Sequence, residues 1–203
     1  VAGRKLPMDE VMRMLRGPRG TQVTVSVLRK GADGLLPMTI VRDKIPVKSV
    51  DAAYMLTPEV GFLRITTFSQ HTHEEMVRAL AALRGEGIRK PTVDLRANTA
   101  GYLGQPIRMA NEFLPADRLI VYTEDRNGDR MEEYSDGKGA YRDVELAVLI
   151  DEHSASSSEI FTGALQDNDR ATIIGRRSYG KGLVQQQIPF SDGSAIRLTT
   201  ARY

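Results

Sequence analysis

The 203-residue chain contains no cysteine. That excludes a thiol nucleophile, a disulfide framework and zinc-thiolate sites, although one missing residue type does not fix the redox compartment. No uninterrupted apolar run approaches the roughly 18 residues that span a bilayer, and Val1-Ala-Gly-Arg-Lys5 is not a signal sequence. An excess of one charge is also lacking. The 28 Lys and Arg face 26 Asp and Glu, interspersed, for a formal net charge of +2. Neither a nucleic-acid stripe nor a membrane-surface patch is indicated. There is no internal repeat, no low-complexity tract and no initiator Met, and the chain stops at Tyr203 inside a strand-like run, so it reads as a piece of a longer protein. What is present, 41% hydrophobic and 27% charged residues, suits a folded chain with a sizeable core.

Met8, Val11, Met12 and Leu15 recur at helical spacing, and Gly17-Pro18-Arg-Gly20 ends that helix. Residues 22–28 alternate as a strand, and Lys30-Gly-Ala-Asp-Gly34 turns the chain into a second strand over 36–41. This helix, turn and strand pair resemble the C-terminal half of a PDZ peptide-binding domain, which assigns residues 1–44 to such a module without the half that holds a ligand's carboxylate. Asp43-Lys-Ile-Pro46 begins a connector, set at 45–55, because proline interrupts ladder pairing.

From residue 56 to 203 strands alternate with helices. Strands are expected at 60–68, 91–95, 118–123, 144–150, 171–174 and 195–201, and helices at 73–83, 103–113 and 157–167. The alternation predicts an α/β fold, a mixed sheet packed by helices. Arg126-Asn-Gly-Asp129 and Ser191-Asp-Gly193 signal hairpins and hence antiparallel additions.

Two segments carry chemistry. Val148-Leu-Ile-Asp151 is an apolar strand that runs into Glu152-His-Ser-Ala-Ser-Ser-Ser-Glu-Ile160, after which Phe161, Ala164 and Leu165 keep helical spacing. Ser156 therefore sits at a strand-to-helix turn, where unpaired N–H groups and the helix dipole favour a developing anion. Taken alone, Ser156-Ser-Ser-Glu159 is equally a capping box. Twenty-five positions later, Lys181 is enclosed by Gly180 and Gly182 and followed by Leu183 and Val184. Desolvation in such a loop disfavours an ammonium, and a neutral amine can take a serine proton.

The order S-A-S-S-S-E-I, helix, Gln166-Asp-Asn-Asp-Arg170, strand, Gly175, then Tyr179-Gly-Lys-Gly-Leu-Val-Gln185 closely resembles the carboxy-terminal processing, or tail-specific, serine proteases. Asp94-Leu-Arg96 with its turn and the terminal Leu198-Thr-Thr-Ala-Arg-Tyr203 extend the likeness over nearly the whole chain. The resemblance implies a ClpP/crotonase-like core, truncated at its C-terminal end. It makes Ser156 the nucleophile, Lys181 the general base and Gln185 the residue that orients the lysine. The oxyanion hole falls on the N–H groups of Ser157 and of the Ala100/Gly101 turn. There the family's Asn-x-Gly-Gly is replaced by Asn98-Thr-Ala-Gly101, and Ala100 can donate only if its dihedrals suit an L-residue.

The implied activity is an ATP-independent endopeptidase acting near apolar polypeptide C-termini, with no cofactor or metal. The implied location is the cell envelope, periplasmic or extracytoplasmic. Room is left for a homo-oligomer and for an adaptor or regulatory protein. The alternative of another class is a catalytically silent PDZ-containing peptide-binding scaffold.

Other signals are weaker. Gly175-Arg-Arg-Ser-Tyr-Gly-Lys-Gly182 matches most of a phosphate-binding loop, but it lacks the final Ser/Thr and precedes a strand, so no nucleotide is expected. His71 and His73 are read as solvated, without a third metal ligand. His153 is a poorer base than Lys181, because residues three apart across a turn need not face each other. Asp167 and Asp169 are read as solvated or capping carboxylates.

Overall fold

The computed structural model describes residues 5–44, 48–99 and 101–203. Two compact units divide between Val47 and Lys48. In the first, helix α1 (Met8–Leu15) precedes an antiparallel pair, β1 (Gln22–Leu28) and β2 (Leu35–Val41), in register from Gln22↔Val41 to Leu28↔Leu35. Val23, Val25 and Val27 are half-buried and their neighbours exposed, as strand alternation requires. Arg42 ties this unit together: its Nε donates to Leu15 O at 2.7 Å and its Nη1 to Thr21 Oγ1 at 2.9 Å. Residues 45–47 of the expected connector lie outside the described residues. Residues 50–55, expected as the rest of that connector, instead form strand β3 (Val50–Met55).

The second unit is the expected mixed α/β arrangement. Its elements after β3 are β4 (Val60–Ile65), α2 (Thr72–Gly85), β5 (Lys90–Asp94), α3 (Gly104–Asn111), β6 (Leu119–Asp125), β7 (Arg130–Tyr134), β8 (Leu146–Ile150), α4 (Ser157–Asp167), β9 (Ala171–Gly175), β10 (Leu183–Pro189) and β11 (Ala195–Arg202). One sheet has the order β3-β4-β5-β8-β9, with β3 antiparallel and the other strands parallel. A second, antiparallel sheet has the order β10-β11-β6-β7.

The parallel strands are joined by helical crossovers, α2 between β4 and β5 and α4 between β8 and β9. Strands covered on both faces need apolar residues throughout, which is why Leu-Ala-Val-Leu-Ile forms β8. Val93, Val148, Phe113, Phe161 and Leu165 are fully buried in the core. Phe161 of α4 meets Phe113 edge to face, 6.1 Å between centroids, and its burial is worth about 2–3 kcal/mol. That packing fixes the axis of α4, and hence the position of its first residue. Among the described residues no helix is long and apolar enough to cross a membrane.

Candidate active site

In a parallel sheet the loops after neighbouring strands emerge side by side at the carboxyl ends, which is where α/β folds place their sites. Here the loops are those of β5 and β8, which pair directly. β5 ends at Asp94, buried, whose carboxylate takes Arg96 Nε and Nη2 at 2.8 Å each and Arg96 N at 3.0 Å. Burial raises the affinity of that carboxyl for a proton, but the guanidinium and the N–H outweigh it and hold the group below its ordinary range.

The next residues are laced to the loop after β8. Ala97 N donates to Asp151 Oδ1 at 3.0 Å, Ser154 Oγ donates to Leu95 O at 2.9 Å, and Ala155 N and Ser158 Oγ both donate to Asn98 O at 3.0 Å. Asn98, fully buried, sends its Nδ2 to Ile65 O at 2.9 Å. The Asp-Leu-Arg-Ala-Asn run is therefore a strap that holds the serine segment in place.

That lacing separates the serines. Ser154 and Ser158 are buried and spend their hydroxyls on backbone carbonyls, and Ser157 Oγ is buried with no partner among the described residues. Ser156, half-buried, lines a cavity of about 380 Å³ together with Gly101, Ser157, Lys181, Gln185 and Tyr203. Its backbone has φ 56° and ψ −107°, outside the comfortable regions for an L-residue. Ser157, the first residue of α4, has an N–H with no intrahelical acceptor by geometry.

The carboxylate of Glu159, three residues on, receives Ser156 N at 2.8 Å, completing the return half of the expected capping box. The same carboxylate takes Ser178 Oγ at 2.8 Å, Gly180 N at 2.5 Å and Lys181 N at 2.9 Å. Burial pushes the Glu159 carboxyl up, and these four donors more than reverse it, so the group sits below its usual value and stays charged. Thus the residue that caps the nucleophile's helix also sets the lysine turn. Sequence reasoning assigned Glu159 the first task only; the second depends on the fold returning residues 178–181 to this point.

Lys181 is half-buried, and among the described residues its Nζ has no hydrogen bond or ion pair. Gln185 lines the same cavity, but its carboxamide donates to Thr199 Oγ1 at 3.5 Å rather than reaching Lys181. Register explains this: between Val184↔Ala201 and Gln185↔Thr199, β11 carries one extra residue, Thr200, which brings Thr199 opposite Gln185.

Beyond the bulge Tyr203 N donates to Gly182 O at 3.1 Å. A side chain at Gly182 would meet Tyr203 O at 2.7 Å, so the second glycine of Gly-Lys-Gly is there for a close backbone approach. Gly101 is constrained likewise, because a Cβ there would overlap Phe68, to which it is bridged. Ala100 of the expected oxyanion turn lies outside the described residues. A functional contact missed by sequence reasoning is Tyr203, whose phenol donates to Ser156 Oγ at 3.0 Å.

His73 is not solvated: it is mostly buried, its Nε2 2.9 Å from Glu112 Oε1, because α2 packs on α3. His71 remains exposed beside Glu74. Asp167 and Asp169 are both exposed. Asp151, Glu152 and His153 place one ligand atom each within 4.8 Å of one another, but Asp151 is committed to the N–H groups of Ala97, His153 and Ser154.

The model of peptidase family S41 matches residues 59–203. The carboxyl-terminal-processing protease of Synechocystis sp. is 37% identical over 201 residues, covering 98% of this chain and 47% of the relative. The carboxy-terminal-processing protease of Bartonella bacilliformis is 38% identical over 201 residues, covering 97% and 46%. The chain thus spans less than half the length of these relatives. Among solved structures, the photosystem II D1 C-terminal processing protease superposes with a TM-score of 0.68 at 28% identity, covering 97% of this chain and 54% of that one. The fold, the serine-to-helix turn and the family match agree, and the chain belongs to peptidase family S41.

Proposed function

We propose that the chain carries the active site of an ATP-independent serine endopeptidase that cleaves polypeptides near their C-termini. The observation that carries this reading is the division of labour among the serines: Ser154 and Ser158 bond backbone carbonyls and Ser157 Oγ is buried, whereas Ser156 lines a cavity that it shares with Lys181.

In the proposed reaction neutral Lys181 takes the Ser156 proton as Oγ bonds to the scissile carbonyl carbon. The carbonyl oxygen becomes an oxyanion, held by the N–H groups of Ser157 and of the 100–101 turn. Collapse breaks the C–N bond, and the Lys181 ammonium returns its proton to the departing amine. Water, deprotonated by Lys181, then releases the acyl group and restores Ser156. Gln185 would steady the amine by swinging from Thr199 toward Lys181.

A neighbouring cavity of about 610 Å³ supports apolar substrate residues. It is lined by Leu119, Ile120 and Val121 of β6 and by Ala164 of α4, and it also touches Lys181. Residues 1–44, read as PDZ-like, are proposed to recruit substrate tails. A cell-envelope location, periplasmic or otherwise extracytoplasmic, rests on the family likeness alone. The silent-scaffold reading has less support, since the relatives are named as proteases.

The test uses the full-length protein. Ser156→Ala should lose peptidase activity by at least about a thousandfold and fail to react with a fluorophosphonate probe; retained activity would remove Ser156 from the chemistry. Lys181→Arg should be equally inactive, because a guanidinium keeps its proton.

A further inference from the structure

We propose that Tyr203 is the fixed hydrogen-bond donor to the nucleophile, orienting Ser156 Oγ so that the serine proton is delivered to Lys181. This inference rests on the proposed roles of Ser156 and Lys181.

A hydroxyl has one proton and two lone pairs. The phenol of Tyr203 donates to Ser156 Oγ at 3.0 Å and occupies one lone pair. The serine proton must then point elsewhere, and the cavity wall that Oγ shares includes Lys181. The second lone pair stays available for the carbonyl carbon. As the proton leaves, negative charge gathers on Oγ, and a hydrogen bond to it strengthens. The same donor assists when Oγ departs from the acyl-enzyme.

Three features hold the phenol for this task. The Tyr203 N–H to Gly182 O bond sets its backbone beside the lysine turn. Ala201 and Arg202, just before it, pair on one side with β10 and on the other with β6 (Ala201↔Asp125, Arg202↔Glu124). The extra residue Thr200 sets the register of this last stretch, and a one-residue slip would exchange the strand's faces. Burial and the nearby Glu159 charge raise the phenol's hold on its proton, against the lowering effect of the Ser156 bond, so Tyr203 remains a donor as pH rises.

The experiment compares full-length wild type, Tyr203→Phe and Ser156→Ala by the rate of fluorophosphonate acylation and by peptide turnover. Tyr203→Phe should acylate about 10- to 100-fold more slowly with KM unchanged and circular dichroism like wild type. Wild-type rates in Tyr203→Phe would overturn the proposal, as would faster rates, which would make the contact inhibitory. Should Ser156→Ala itself retain labelling and turnover, the underlying assignment of the nucleophile fails instead, so the two failures are distinguishable.

A second variant guards against a folding defect. Replacing Tyr203 by 3,5-difluorotyrosine keeps the ring but lowers the pH at which the phenol ionises. Acylation should then fall at a lower pH than it does in the wild type. A wild-type pH profile in this variant would also overturn the proposal.

Discussion

Ser156 occupies φ 56°, a left-handed conformation that an L-residue adopts at a cost of about 1–3 kcal/mol. The surroundings impose it. Ser156 N is bound to Glu159, Ala155 N to Asn98 O, and the α4 axis is fixed by Phe161. Strain of this kind persists where a side chain must be aimed, and the side chain here is aimed into the cavity. Glycine tolerates positive φ. Ser156→Gly is therefore expected to be more stable than Ser156→Ala by about 1 kcal/mol while both lack activity. Denaturant melts of the two variants give the comparison, and equal midpoints would mean the backbone at 156 relaxes.

At the scale of the element, Glu159 joins two pieces of chain that carry separate halves of the chemistry. Its carboxylate binds the first turn of α4 and the 178–181 turn together, four donors on one group. Because its folded-state affinity for protons is lowered, its stabilising contribution is fully present above the ordinary glutamate value of 4.5 and is lost as pH falls through the lower folded value. Glu159→Gln, whose NH₂ cannot accept, should cost about 1–3 kcal/mol near neutral pH and remove that share of the acid dependence. Urea melts of both proteins between neutral and acidic pH test this; parallel acid limbs would show that Glu159 is not the group responsible.

The legibility of an element follows its apolar period rather than its burial, since α1 has no fully buried residue. α1, β1 and α4 fall where periodicity placed them, because each keeps an apolar stripe in a fixed period. β3 falls where the sequence predicts a connector, since Val-Asp-Ala-Ala-Tyr-Met keeps no clean apolar alternation and Pro46 points to a break. β7 is exposed at every residue, so it offers no alternation to read and was implied only by the turn before it. The nucleophile's segment could be found from local spacing. The Tyr203 contact could not, because it depends on a bulge in β11 and on β6 pairing across the sheet.

In the second unit as a whole, the two halves of the proposed chemistry rest on supports of unequal strength. Ser156 follows β8, which is paired on one side with β5 and on the other with β9 and whose residues Leu146 and Val148 are buried. Lys181 precedes a hairpin, β10 and β11, in which Leu183, Ile188, Ile196 and Leu198 are exposed. Local opening needs less free energy where few apolar contacts must break, so the hairpin should open before the parallel sheet does. Opening would withdraw Lys181 and Tyr203 from Ser156 while leaving most secondary structure intact. Peptidase activity is thus expected to fall at a lower urea concentration than the far-UV circular dichroism signal, and hairpin amides to exchange faster than those of Val93 and Val148. Superimposable activity and dichroism curves, with uniform exchange, would show that the hairpin and sheet form one cooperative unit. The nucleophile and its partners would then stand on a single support.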